Sequence, residues 1–252
     1  MIYRTGRFFR YFGRLAVFVQ DTFSFLFFKR RSIHSITREV VSVGIESLFL
    51  VSLISFFVGI IIAFQTAYQL KRLSSEIYIA SLVVLSLTRE LGPVLSCLVI
   101  AARSGASITA GIGSMKISEQ IDALEAFSVN PIDYLVVPKF IALVISCPIL
   151  VIYADFLGVF GGYIVGMLKF SIPFSFYFKL TLEALTYKDI LSGLIKSVFF
   201  ASIIAFVSCF EGLRPHSSVE VAKAVTFSVV RSFILIIICD CILTAIFYFI
   251  FV

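Results

Sequence analysis

Ionisable side chains interrupt the long apolar runs of this 252-residue chain, among them Arg89, Glu90, Arg103, Asp155, Lys196 and Asp240. A charge left unpaired in hydrocarbon costs several kcal/mol, so each of these should face the bundle interior, a partner charge or water. Arg89 and Glu90 are sequence neighbours and point about 100° apart on a helix, so at least one must bond to a different helix. Lys196 and Asp240 are candidate counter-ions. Two readings of the set stand side by side: a polar interior that serves a function, or pairs that only lock the helices together.

The elements that hold these groups are legible in composition. Hydrophobic residues make up 60% of the chain, and the mean hydropathy is +1.07. That profile is an integral membrane protein. Apolar stretches of ~20 residues cross a bilayer as helices. Four are clear, at 47–68, 91–112 (with a start as early as 77), 140–168 and 227–252, and a fifth, 190–210, is broken only by Lys196. Residues 77–87 are apolar enough for a short re-entrant or interfacial piece. Gly92-Pro93 should kink or restart the second span, and Pro148 should bend the third. Gly158, Gly162 and Gly166 form a small-xxx-small ridge expected to bring helices close.

Charge outside the spans sets the orientation. Arg4, Arg7, Arg10, Arg14, Lys29, Arg30, Arg31 and Arg38 make the N-terminal arm cytoplasmic. Five spans then leave the C-terminus outside, with Lys71, Arg72 and residues 169–188 also outward, and Lys116, Arg214 and Lys223 cytoplasmic. Gln20 and Asp21 break the first apolar run, so residues 1–28 do not read as a signal peptide. On a helical wheel Arg7, Arg10, Arg14 and Asp21 fall in one arc and Phe8, Phe12, Leu15, Val19 and Phe23 in another. That describes a helix lying in the membrane interface, the other reading being a helix packed on the bundle.

Cys97, Cys147, Cys209, Cys239 and Cys241 have no metal-ligand spacing and read as small packing residues. His34 and His216 lack a carboxylate or cysteine partner pattern, and there is no phosphate-binding glycine loop with Lys-Ser or Lys-Thr. Between the second and third spans, Gly113 to Glu125 forms an acidic insert. Ile117, Ile121, Leu124 and Phe127 recur at helical spacing, with Glu119, Asp122 and Glu125 on the other sides. Such a helix either docks a soluble partner or caps the bundle as a solvated loop helix.

Five ordered segments carry a family resemblance: Thr88-Arg-Glu-Leu-Gly-Pro-Val94, Ala102-Arg-Ser-Gly-Ala106, Gly113-Ser-Met-Lys-Ile-Ser-Glu-Gln-Ile-Asp-Ala-Leu124, Val129-Asn-Pro131 and Leu135-Val-Val-Pro-Lys-Phe140. With Leu194 to Phe199 and Asp240 to Ala245, they closely resemble the MlaE permease family, the membrane subunits of ABC-type lipid transporters that work with MCE proteins. The match runs from about Arg38 to the C-terminus.

The resemblance implies an all-α polytopic membrane protein with an interfacial N-terminal helix, five transmembrane helices and a cytoplasmic coupling helix. Residues 1–38 would be the interfacial helix and basic arm, and 39–252 the permease domain. It implies a transport permease, not an enzyme, that moves phospholipid between the bacterial inner membrane and an MCE protein. Its partners would be a second copy in a homodimer, cytoplasmic ABC ATPase subunits that carry ATP-Mg, an MCE-domain protein and a STAS-domain accessory protein; no nucleic acid is implied, and no cofactor in this chain. By position, Gln65, Tyr68, Leu70, Arg89, Glu90, Lys196 and Asp240 would line or gate the lipid path. Glu119, Gln120, Ile121, Asp122, Leu124 and Glu125 would couple to the ATPase.

Two departures stand out. Gly111 replaces a Glu common in the family, removing a carboxylate at the cytoplasmic end of span two. Ser217 to Thr226 replaces the family's glycine-rich turn between spans four and five, so no roles carry over to it. The alternative readings are a membrane-embedded lipid-modifying enzyme, for which the charges within the spans would be acid and base, and a passive scaffold; the first has no recognisable nucleophile or metal set.

Overall fold

The computed structural model describes residues 2–28, 33–71 and 78–251, with the side chains of 2–12, 27, 28, 250 and 251 outside the description. Arg4, Arg7, Phe8, Arg10, Phe12, Lys29, Arg30, Arg31, Arg72 and Ile77 therefore carry expectations that fall outside it. All regular structure among the described residues is helical. The helices are α1 (Ile2–Phe28), α2 (Ile33–Lys71), α3 (Ile79–Ile117), α4 (Gln120–Ala126), α5 (Ile132–Phe170), α6 (Phe174–Ala184), α7 (Tyr187–Gly212) and α8 (Ser218–Phe251).

Five of them, α2, α3, α5, α7 and α8, are long and apolar enough to cross a membrane. The chain is a multi-pass membrane protein. Each spanning helix outruns the stretch read from hydropathy. At ~1.5 Å per residue, a helix of 39 residues such as α3 is ~58 Å long, about twice the hydrocarbon core. Polar and aromatic ends extend the helices where hydropathy falls away. Residues 79–87 are the first turns of α3, not a separate re-entrant piece.

Among the described residues three π-helical turns interrupt the ladders, Leu87–Leu91 and Ala101–Gly105 within α3 and Ile132–Val136 at the start of α5. Such turns release backbone groups from regular bonding and recur at functional sites. The first lies directly before Gly92-Pro93. The expected break in the second span is thus a π-turn inside a continuous helix. Pro148 lies within continuous α5.

Two compact units make up the fold. One comprises residues 1–43, 101–144 and 201–235. Its aromatic centre stacks Phe140 on Phe206 at 5.0 Å, with Phe23 5.8 Å from each ring and Phe18 5.6 Å from Phe210. In α1 the side chains most deeply buried are Phe18 and Thr22, so the packed stripe is rotated from the arc of Leu15, Val19 and Phe23 read on the wheel. Thr109 Oγ1 joins α3 to α7 and α8 through Ser208 O at 3.0 Å and Ser228 Oγ at 2.9 Å. Buried Glu211 accepts from both Arg214 and Arg231. Of residues 217–226, read as a loop, 218–226 instead form the first turns of α8 and Ser217 caps them: Ser217 Oγ accepts from Glu220 N at 3.4 Å and Glu220 Oε2 from His216 N at 2.8 Å, a reciprocal cap.

The other unit comprises residues 44–100, 145–200 and 236–252. Its core joins Ala63, Ala67 and Leu70 of α2, Ile79, Val83 and Leu87 of α3, and Val159 and Val165 of α5. α6, absent from the hydropathy reading, buries Tyr177 completely in this core. Burial pushes the Tyr177 phenol well above its ordinary pKa. Close crossings rest on glycine. A Cβ at Gly59 would collide with the Gly158 carbonyl, and one at Gly161 with the Phe56 carbonyl. Gly162 lies under the Tyr177 hydroxyl and Val83, whereas Gly166 has ordinary clearance of 3.4 Å from the Tyr177 ring. The expected ridge of three therefore makes its tightest helix crossing at Gly158.

Candidate functional site: a lysine-centred charge cluster

In the unit containing residues 44–100, one proline organises the site. Pro93 has no N–H to give the carbonyl four residues earlier, Arg89 O. Lys196 Nζ donates to that carbonyl at 3.0 Å. The same ammonium donates to Glu90 Oε2 at 2.6 Å and Thr244 Oγ1 at 2.7 Å, which uses its three protons. Asp240 Oδ1 lies 2.9 Å away, the ion-pair partner without a proton of its own. Thr244 closes the ring through its hydroxyl, 3.1 Å from both Glu90 oxygens.

The lysine side chain is 1% exposed, a burial that a cation tolerates only with partners arranged this closely. Gly193, one turn before Lys196, makes the approach feasible, because a Cβ there would lie 2.5 Å from Thr88 O and 3.3 Å from the Pro93 ring. Arg89 turns the other way and donates from Nε to Asp189 Oδ1 at 2.6 Å. Both members of the adjacent pair therefore bond to other helices, Glu90 to α7 and α8, Arg89 to α7. Asp189 is also held by Thr186, whose N–H and hydroxyl donate to Oδ2 at 3.0 and 2.6 Å. This is a Thr-x-x-Asp cap at the start of α7, and its sequence signal was present.

Arg89, Glu90, Lys196 and Thr244 line a cavity of about 360 Å³ with Phe247 and Tyr248. Arg89 is 54% exposed at its side chain, so a cation reaches the opening while Lys196 stays inside. The arrangement can neutralise an anionic group at the mouth against a preorganised set of charges. Gln65, Tyr68 and Leu70 do not line this cavity. Gln65 and Tyr68 are exposed on α2, whereas Leu70 is buried in the apolar core.

The other charges within the spans part company. Arg103, in the other unit, donates to Ser42 O at 3.1 Å. Asp155 Oδ1 is buried without a hydrogen-bond partner among the described residues, in the space left by Gly92, where a Cβ would collide with it. Of the three surroundings expected for an intramembrane charge, it has the bundle interior, with no ion-pair partner among the described residues. No cluster of three or more His, Cys, Asp or Glu suited to a metal gathers among the described residues, and all five cysteines are free thiols.

The acidic insert resolves into two parts. Residues 113–117 are the end of α3, so only Gln120–Ala126 is a separate helix, entered through Glu119 at φ 57°. Ile121 is buried at 2% exposure and Leu124 half-buried, while Phe127 is 82% exposed. Glu119, Gln120, Asp122 and Glu125 are exposed, and Lys116 pairs with Asp122 at 2.6 Å. Ile121 thus anchors α4 to its own chain, and the face offered outward is Phe127 with the acidic residues.

Together these features define a polytopic all-α membrane protein with a charged centre built into its spans. The family model described as Permease MlaE matches residues 36–246. A probable ABC transporter permease protein of Rickettsia prowazekii is 44% identical over 214 residues, covering 84% of this chain and 83% of its own length. The intermembrane phospholipid transport system permease protein MlaE of Haemophilus influenzae is 34% identical over 221 residues, covering 87% and 85%. A probable ABC transporter permease protein of Pyropia yezoensis is 36% identical over 219 residues, covering 86% and 82%. The chain belongs to the MlaE permease family.

Proposed function

We propose that this protein is the permease subunit of an ABC-type phospholipid transporter in a bacterial inner membrane, exchanging lipid with an MCE protein. The observation that carries the reading is the fully enclosed Lys196, held by Glu90, Asp240 and the Arg89 carbonyl behind a cavity whose mouth carries Arg89. Charge within a span is costly and is retained where it serves a pathway. Membership of the MlaE family and the phospholipid transport for which the Haemophilus relative is named support lipid as the cargo.

In this reading two copies form a homodimer around the lipid path, with the N-terminus cytoplasmic and the C-terminus periplasmic. Cytoplasmic ABC ATPases bind the outward face of α4 and supply ATP-Mg hydrolysis, and an MCE protein, with a STAS-domain accessory on the ATPase side, completes the assembly. Closure of the ATPases presses on Phe127 and the acidic rim of α4; Ile121 transmits the displacement because it is seated in the chain. Arg89 and Glu90 contact the headgroup or gate the cavity.

Purification from the native membrane, followed by mass spectrometry of proteins and lipids, tests the assignment. A stoichiometric ATPase, an MCE protein and bound phospholipid are the expected companions. A chain recovered alone with a modified lipid product would replace the transporter by an enzyme, and a chain recovered with neither by a scaffold.

A further inference from the structure

Asp155 does not line the Lys196 cavity, and it stands near the middle of the apolar run 140–168. Its Oδ1 is buried without a hydrogen-bond donor, and no ion pair among the described residues includes it. The neighbouring helices in its unit have no free charge to offer. Along α2 no charged residue occurs between Glu46 and Lys71, and along α5 none but Asp155 between Lys139 and Lys169. On α3, Arg89 donates to Asp189 and Glu90 accepts from Lys196, both of α7. An ionised carboxylate here would sit in hydrocarbon with neither donor nor counter-charge, the state that low-dielectric surroundings penalise most.

The neutral acid has a partner that the carboxylate lacks. A Cβ at Gly92 would collide with Asp155 Oδ1 and would lie 2.9 Å from Leu87 O, so the two oxygens border one small volume. Two acceptors side by side repel, whereas a proton between them makes a hydrogen bond. Leu87 O already accepts from Gly92 N, and its second lone pair is open to the acid hydroxyl. That carbonyl opens the π-turn Leu87–Leu91, which carries Arg89 and Glu90. The Lys196 ammonium grips the same turn from α7 through Arg89 O. We propose that Asp155 is a positioning residue, retained as the neutral acid, whose proton is donated to Leu87 O and fixes from α5 the π-turn that presents Arg89 and Glu90 to the cavity. The positioning role rests on the lipid-path reading of the Lys196 centre; the state of the acid does not.

Infrared difference spectra of the full-length protein in lipid, parent against Asp155→Asn, test the acid directly, with aspartate isotope-labelled at its side-chain carboxyl. At neutral pH the parent should show the carbonyl stretch of a protonated, hydrogen-bonded acid that the variant lacks. Carboxylate bands alone, or an acid band at the position of a free acid, would overturn the proposal. Lipid transfer by the reconstituted complex then reads the role. Asp155→Asn keeps a neutral donor and should transfer within about twofold of the parent, whereas Asp155→Leu keeps the shape without the donor and should lose about tenfold. Melting temperature and ATPase recovery should not fall in step. Transfer at the parent rate in Asp155→Leu, an equal loss in both variants, or a loss that tracks melting temperature would overturn the positioning role. A parent complex that transfers no lipid would instead contradict the transporter reading, and the infrared band would still decide the state of the acid.

Discussion

Lys196 Nζ occupies the backbone carbonyl of Arg89, 3.0 Å away, which Pro93 cannot satisfy four residues later. A backbone vacancy on one helix and a buried cation on another thus answer each other. The same ammonium neutralises Glu90 and Asp240 at 2.6 and 2.9 Å. Removing it should cost more than one contact implies. Lys196→Met should lower unfolding stability by about 3 kcal/mol, as expected when one member of a buried ion pair is deleted. Adding Asp240→Asn should restore part of the loss; chemical denaturation in a mixed micelle measures both.

Gly92 and Asp155 share one small volume, the carboxyl standing where a Cβ would be. Gly92→Ala should destabilise the protein by about 1–3 kcal/mol through overpacking. The nearest obstacle is the Asp155 side chain, and the Leu87 carbonyl at 2.9 Å is backbone, so Asp155→Ala in the same chain should remove part of that cost. Thermal unfolding of the two single variants and the double variant reads the coupling. Additive losses would mean that the two residues do not meet.

Glycines of similar appearance differ in what they permit. Gly59→Ala should impair folding, since the Gly158 carbonyl in its way is backbone and cannot turn aside. Gly166→Ala, with 3.4 Å to the Tyr177 ring, should be accepted with a change under about 1 kcal/mol. Yield of monodisperse protein and its melting temperature separate the two.

On α4, Ile121 and Phe127 have opposite surroundings, one buried and one 82% exposed. Phe127→Ser should leave thermal stability within about 0.5 kcal/mol while lowering recovery of the ATPase with the purified chain. Ile121→Ala should instead lower stability by about 2–4 kcal/mol. An ATPase recovered equally well with Phe127→Ser would place its docking face elsewhere.

The spanning helices could be read directly because their apolar runs are long, and the acidic insert because its polarity breaks that pattern. Their ends could not, since residues such as Glu39 and Lys116 leave the hydropathy profile while continuing the same helices. The Lys196–Asp240 pair followed from the cost of isolated charge in hydrocarbon. The bond to Arg89 O did not, although Gly92-Pro93 announced a freed carbonyl, because which side chain reaches it depends on how closely Gly193 lets α7 approach. Asp189 was missed as the Arg89 partner because it lies just before the apolar run of its span, yet the Thr186-x-x-Asp189 cap was visible in sequence. α6 lacks a long apolar run and is fixed by Tyr177 entering the core, a tertiary event with little local signature.

ATP-dependent transfer of a fluorescent phospholipid by the reconstituted complex tests most directly whether the Lys196 centre serves the lipid path. Glu90→Ala removes the carboxylate that both Lys196 and Thr244 hold. The account predicts an assembled complex, with its ATPase still bound, in which transfer is abolished. Transfer at the wild-type rate in that assembled variant would contradict it.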